Sequence, residues 1–138
     1  MLTGVSWYAS ISIVPDELKP IGWIASSLKD LKGFPQEVRE EVGYALYEAQ
    51  KGGKLVSVKP LKGFKGAGVL EVVEDHDGDT YRAVYTVRFA KAIYVLHCFQ
   101  KKSKSGIATS KQDIDLIGSR LRTAQEEYTK WQNRKKQE

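Results

Sequence analysis

The sequence predicts an α+β fold: a small antiparallel meander sheet packed by N-terminal helices and a long C-terminal helix. Three observations carry that prediction. Apolar residues recur at helical spacing from Val38 to Ala49, strand-like segments joined by tight turns lie between Val69 and Gln100, and an apolar seam at helical spacing runs from Ile114 to Trp131.

Taken in order, Ile21-Gly22-Trp23-Ile24 is a short apolar run suited to begin a sheet. Ser27-Leu28-Lys29-Asp30 matches the capping box of a short helix, in which a serine hydroxyl and an acid three residues on satisfy the first backbone N–H groups. Phe34-Pro35 opens a longer helix, since proline at a first helical position gives up an N–H that has no partner there. Val38, Val42, Leu46 and Ala49 then share one face, and Gly52-Gly53 ends the segment. A lysine- and glycine-rich connection follows, Lys59-Pro60-Leu61-Lys62-Gly63-Phe64-Lys65-Gly66.

Strands are expected over Val69–Asp75, Asp79–Phe89 and Ala92–Gln100, with Asp77-Gly78 as the tight turn between the first two. Alternation in the middle segment places Tyr81, Ala83, Tyr85, Val87 and Phe89 on one face and Arg82, Val84, Thr86 and Arg88 on the other. Ile93–Phe99 is nearly all apolar, as a central strand is. Ser110-Lys111-Gln112-Asp113 is a second capping box, and Ile114, Ile117, Leu121, Ala124, Tyr128 and Trp131 form the seam of the long helix. Arg120 and Arg122 are expected on its solvated face.

A chain of 138 residues supports one core, so a single domain is expected over 1–138, with 1–19 and 132–138 irregular or frayed. Asp16, Glu17 and Lys19 interrupt the one N-terminal apolar stretch, far short of the roughly 20 residues a membrane helix needs. No basic leader precedes Val14, and the expectation is a cytoplasmic protein without a membrane partner. The single cysteine, Cys98, lies in an apolar run and reads as a small buried hydrophobe. The net charge of +5 favours an anionic partner, and its cations gather at Lys59–Lys65, Lys101–Lys104 and Arg134–Lys136.

Motifs for a serine nucleophile, a nucleotide-phosphate loop or a zinc protease are missing, and no Cys/His spacing suits a metal. Gly63, Gly66 and Gly68 lack the βαβ setting of a nucleotide loop. Asp75, Asp77 and Asp79 fit a solvated hairpin better than a cation site. His76 sits at that turn. His97, inside an apolar strand, reads first as a satisfied core histidine and second as a general acid or base. The basic groups remain: Lys62, Lys65, Arg82, Arg88 and Lys101-Lys102-Ser103-Lys104 can share one phosphate-binding surface, with Tyr81, Tyr85 and Tyr94 for base stacking. The alternative is solubilising lysines over core tyrosines.

Five words of sequence, in order, resemble the RelE/HigB superfamily of type II toxin–antitoxin toxins, particularly its phage-derived HigB-like branch. They are SSLKDLKGFPQEVR (Ser26–Arg39), ALYEAQKGG (Ala45–Gly53), KPLKGFKGAGVLEV (Lys59–Val72), DGDTYRAVYTVRF (Asp77–Phe89) and IYVLHCFQKKSKSG (Ile93–Gly106). The resemblance spans about Trp23 to Tyr128. It implies a RelE/ParE-like fold, a ribosome-dependent messenger-RNA endoribonuclease without metal or other cofactor, and neutralisation by a helix-turn-helix, HigA-like antitoxin. In such enzymes the RNA's own 2′-hydroxyl attacks the adjacent phosphate, so the protein supplies proton transfer and charge stabilisation. The resemblance implies catalytic roles for Arg82, Lys101 and Lys102, and RNA contact or proton transfer from Lys62 or Lys65; the residue reading adds His97 as an acid/base candidate and Arg88 and Lys104 as RNA contacts. The chain departs from the pattern at its end, where Tyr128 belongs to the apolar seam and takes no catalytic role. Relatives of the ParE kind share the fold but poison DNA gyrase, so a non-enzymatic inhibitor or a phage regulatory binding protein is the alternative.

Overall fold

A computed structural model describes residues 18–101 and 108–137. Its elements are β1 (Ile21–Trp23), α1 (Ser27–Lys32), α2 (Gln36–Gln50), β2 (Lys59–Pro60), β3 (Val69–His76), β4 (Asp79–Thr86), β5 (Ile93–Lys101) and α3 (Lys111–Lys136). They give the expected α+β fold, with one sheet in the order β1-β5-β4-β3-β2. From β3 to β5 it is the predicted antiparallel meander, and Lys59-Pro60 of the expected connection adds β2 antiparallel to β3. β1 adds what sequence patterning does not specify: it pairs parallel with β5, Ile21 opposite Ile93 and Trp23 opposite Val95. That pairing covers the second edge of the most apolar strand, as a central strand requires.

The sheet is packed on both faces. Val38, Val42, Ala45, Leu46 and Ala49 of α2 meet Leu70, Val72, Tyr81, Ala83, Tyr85, Ile93 and Val95 on one side. Ile117, Leu121 and Ala124 of α3 meet Val69, Val84, Tyr94 and Leu96 on the other. The hairpin between β3 and β4 turns on Asp77 (φ 49°) and Gly78 (φ 84°), both in the left-handed region that a two-residue hairpin of matching twist demands.

Three expectations are corrected. Ser27 lies inside α1 instead of capping it: the preceding residue is Ser26, and the buried Ser27 hydroxyl donates to the Val95 carbonyl at 3.2 Å. The face shared by Tyr81 and Tyr85 does not extend to Phe89, because β4 ends at Thr86 and the chain turns; Phe89 stacks on Tyr128 of α3 at 4.8 Å, on the opposite side. α3 continues past Trp131 to Lys136, its last turn carrying Arg134, Lys135 and Lys136, cations that suit the negative end of a helix. β5, the central strand expected from its apolar run, also carries an irregularity. Val84 pairs with His97 and Tyr85 with Val95, so Leu96 is an extra residue in a β-bulge. The extra residue moves His97 and Phe99 off the face of Ile93 and Val95 and turns them towards α3, with Phe99 packed on the α3-side core.

Candidate functional site

The α3-facing side of the sheet is apolar where the helix lies on it, at Val69, Val84 and Leu96. Further along the strands the same face becomes charged: Glu71 two residues beyond Val69 on β3, Arg82 two before Val84 on β4, and Lys101 two beyond Phe99 on β5. These three gather where the chain enters α3. Arg82 Nη1 donates to Glu71 Oε1 at 3.1 Å and to Thr109 Oγ1 at 3.0 Å, while Lys101 Nζ donates to the Ala108 carbonyl at 3.4 Å. Two cations from neighbouring strands thus reach consecutive residues just before the helix. Ser110 caps that helix as predicted, its hydroxyl accepting from the Asp113 N–H at 3.1 Å.

Arg82 is only 5% exposed, so its charge requires a partner, and Glu71 supplies it. Burial pushes the Glu71 carboxyl above its usual range, and the nearby Arg82 guanidinium draws it back only in part. Phe99, half-buried, and Val73, 36% exposed, stand at the same corner as apolar neighbours.

The bulge sets His97 in a network. Its Nε2 is 3.0 Å from Asp113 Oδ1, its Nδ1 is 3.4 Å from Arg120 Nη1, and its ring stacks on Phe99 with centroids 4.3 Å apart. A guanidinium only donates and a carboxylate only accepts, so the arrangement assigns the neutral tautomer with the proton on Nε2. Burial lowers the His97 pKa; Arg120 acts in the same sense, while Asp113 opposes it. Burial alone would raise the Asp113 carboxyl, but hydrogen bonds from His97 and Ser110 hold it below its usual value.

Arg120, expected on a solvated face, is half-buried and ties three elements together. It donates to the carbonyl of the bulge residue Leu96 at 2.9 Å and to Ser26 Oγ at 3.4 Å, and Ser26 Oγ donates to Asp30 Oδ2 at 2.8 Å. The signal was present in the sequence. Arg120 stands three residues after Ile117 and four before Ala124, on the flank of the buried seam, whereas Arg122 stands off it and is exposed.

Residues 29–122 match the family described as Phage derived protein Gp49-like (DUF891). The chain belongs to that family. It is a RelE/HigB-like toxin family, the phage-derived branch that the five words of sequence resemble. The matched stretch takes in Glu71, Arg82, His97, Lys101, Asp113 and Arg120. No curated protein matches the chain. Among solved structures it is similar to a free-state arginine-to-alanine double mutant of E. coli toxin RelE, with a TM-score of 0.47 and 19% identity over 64% of this chain and 87% of that one. The family assignment rests on the Gp49-like match.

The remaining predicted positions of this Gp49-like chain are dispersed. Lys62 and Lys65 are exposed on the loop before β3, which is held over the first turns of α3 by Leu61 and Phe64 packing with Ile114 and Ile117. Arg88 is exposed beyond the end of β4, beside Gly68 and six residues from Arg82, about 20 Å along an extended chain. Lys102 and Lys104 lie outside the described residues. Tyr81, Tyr85 and Tyr94 are 8%, 0% and 7% exposed, which removes them as stacking platforms: their rings fill the two cores. The half-buried Phe99 is the aromatic ring at the charged corner. Cys98 is buried, and burial pushes its thiol up to about 12. Among the described residues no three His, Cys, Asp or Glu side chains are placed to hold a metal ion, and no helix is long and apolar enough to cross a membrane.

Proposed function

We propose that this Gp49-like protein is the toxin of a type II toxin–antitoxin pair and that it cleaves messenger RNA on the ribosome without a metal. The observation that carries the proposal is the meeting of Arg82 and Lys101 at residues 108–109, on a strongly basic chain. Cleavage by the substrate's own 2′-hydroxyl needs no protein nucleophile. It needs positive charge against a pentacoordinate phosphate and groups that take and give a proton. Lys101, whose ammonium reaches the corner at the Ala108 carbonyl, is suited to the phosphate. Arg82 lies deeper and keeps the corner positive while orienting Glu71 and Thr109. Lys62 and Lys65, exposed on the adjacent loop, extend the surface along an RNA backbone.

In this reading His97 serves the site from behind. Held neutral between Asp113 and Arg120, it fixes the end of β5 that carries Lys101. The protein acts in the cytoplasm, and a helix-turn-helix antitoxin, HigA-like in kind, neutralises it by covering the basic surface.

Expression of the wild-type protein should arrest growth and produce new 5′ ends inside the reading frame of a translated message, mapped by primer extension. Lys101→Ala should abolish those ends. Arrest with intact transcripts and a DNA-damage response would show a gyrase poison instead.

A further inference from the structure

Resting on the ribonuclease reading, we infer that Glu71 is the general base of the cleavage, its carboxylate taking the proton of the attacking 2′-hydroxyl.

A base must be a proton acceptor that is open and within reach of the phosphate-binding cations, and the described side chains of this corner leave one. Arg82, Lys101 and Lys59, which stands opposite Glu71 in the β2 register, only donate. His97 has one ring nitrogen facing the Arg120 guanidinium and gives its proton to Asp113 from the other. Asp113 has Oδ1 on His97 and Oδ2 on the Ser110 hydroxyl. Thr109 Oγ1 is occupied by Arg82. Glu71 has Oε1 on Arg82, whereas Oε2 carries no hydrogen bond among the described residues, and the side chain keeps 13% of its surface open.

The surroundings suit the task. Burial makes this carboxylate more basic than one at the surface, and Arg82 keeps it ionised and oriented. Val73 and Phe99, which flank Arg82 in the register of β3 and β5, give the corner an apolar side. The step balances within the site. The 2′-oxygen bonds to phosphorus as its proton passes to Glu71. The bond from phosphorus to the 5′-oxygen then breaks, and that oxygen takes a proton from the Lys101 ammonium. The products are a 2′,3′-cyclic phosphate and a 5′-hydroxyl, and solvent returns both groups to their starting protonation.

The test is single-turnover cleavage of ribosome-bound message by wild type, Glu71→Gln and Glu71→Asp, each measured from about pH 5 to about pH 8. Glutamine still accepts from Arg82 but takes no proton. It should slow cleavage by about 10²- to 10⁴-fold with ribosome binding unchanged, whereas aspartate should retain part of the rate. The wild-type rate should fall on the acid side, and the residual rate of Glu71→Gln should not. Undiminished cleavage by Glu71→Gln, or an acid-side fall that persists in that variant, overturns the assignment of Glu71 alone. A wild-type protein that leaves the message intact overturns the ribonuclease reading and this inference with it.

Discussion

His97 Nε2 lies 3.0 Å from Asp113 Oδ1, so an imidazole turned out of its strand by a bulge is bound to the first turn of α3. The pair gives the fold a defined acid sensitivity. His97 has a lowered pKa in the folded state, which therefore holds it neutral, while the unfolded chain takes up a proton as pH falls through about 6.5. Stability should be level above neutral pH and decline below it. Asp113, also lowered, contributes stability above about pH 4 that is lost as pH falls through its folded value. Glu71 and Glu74 are raised, chiefly by burial, and act in the opposite sense within the carboxylate range. Urea denaturation across this range should show the upper limb, and His97→Gln should flatten it. An unchanged limb in that variant would assign the acid sensitivity elsewhere.

The pair of Arg82 and Glu71 is buried on both sides, at 6% and 13% side-chain exposure. Arg82→Met alone strands a carboxylate and should cost about 3 kcal/mol in chemical denaturation. Arg82→Met with Glu71→Leu should recover most of that loss, because two apolar side chains of similar volume carry no desolvation penalty. Additive losses would mean that the pair is not the reason for the cost.

Gly22 is a glycine because Tyr94 lies against it. A Cβ there would stand 2.5 Å from Tyr94 Cε1, and the ring is held by Phe89 and Tyr128 at 5.5 and 6.4 Å. Gly22→Ala should destabilise by about 1–3 kcal/mol, as overpacking does. Combination with Tyr94→Val should be less than additive, since that substitution removes the obstructing ring.

Burial in α2 and α3 follows a helical period, so Val38, Val42, Leu46, Ala49 and the seam from Ile114 to Trp131 are legible from spacing alone. Asp77-Gly78 announces its own turn. The bulge at Leu96 is not legible, because an apolar strand looks the same on either register and only pairing with β4 fixes the slip. That one residue decides whether His97 faces α2 or Asp113. At the site, Arg82 and Lys101 are identifiable as cations on strands, whereas Glu71 carries no signal beyond its place in a sequence word and Arg120 only its position on the flank of the apolar seam. Both acquire their meaning from partners on other elements: Glu71 from Arg82 across the hairpin, Arg120 from Leu96 and Ser26.

Lys62 and Lys65 offer a separate check on the surface. If they touch RNA backbone, replacing both with alanine should weaken binding to ribosome-bound message at low salt. It should also reduce the slope of log affinity against log salt by about 0.7 for each phosphate that the lysines no longer neutralise. An unchanged slope would place the RNA path away from this loop.

We propose that the corner of Arg82, Lys101 and Glu71 cleaves messenger RNA by 2′-hydroxyl attack. The most direct test is the chemistry of the ends produced when purified protein meets message on translating ribosomes. Fragments bearing a 2′,3′-cyclic phosphate and a 5′-hydroxyl, absent with Lys101→Ala, are the predicted result. Intact message, or fragments ending in a 5′-phosphate, would contradict it.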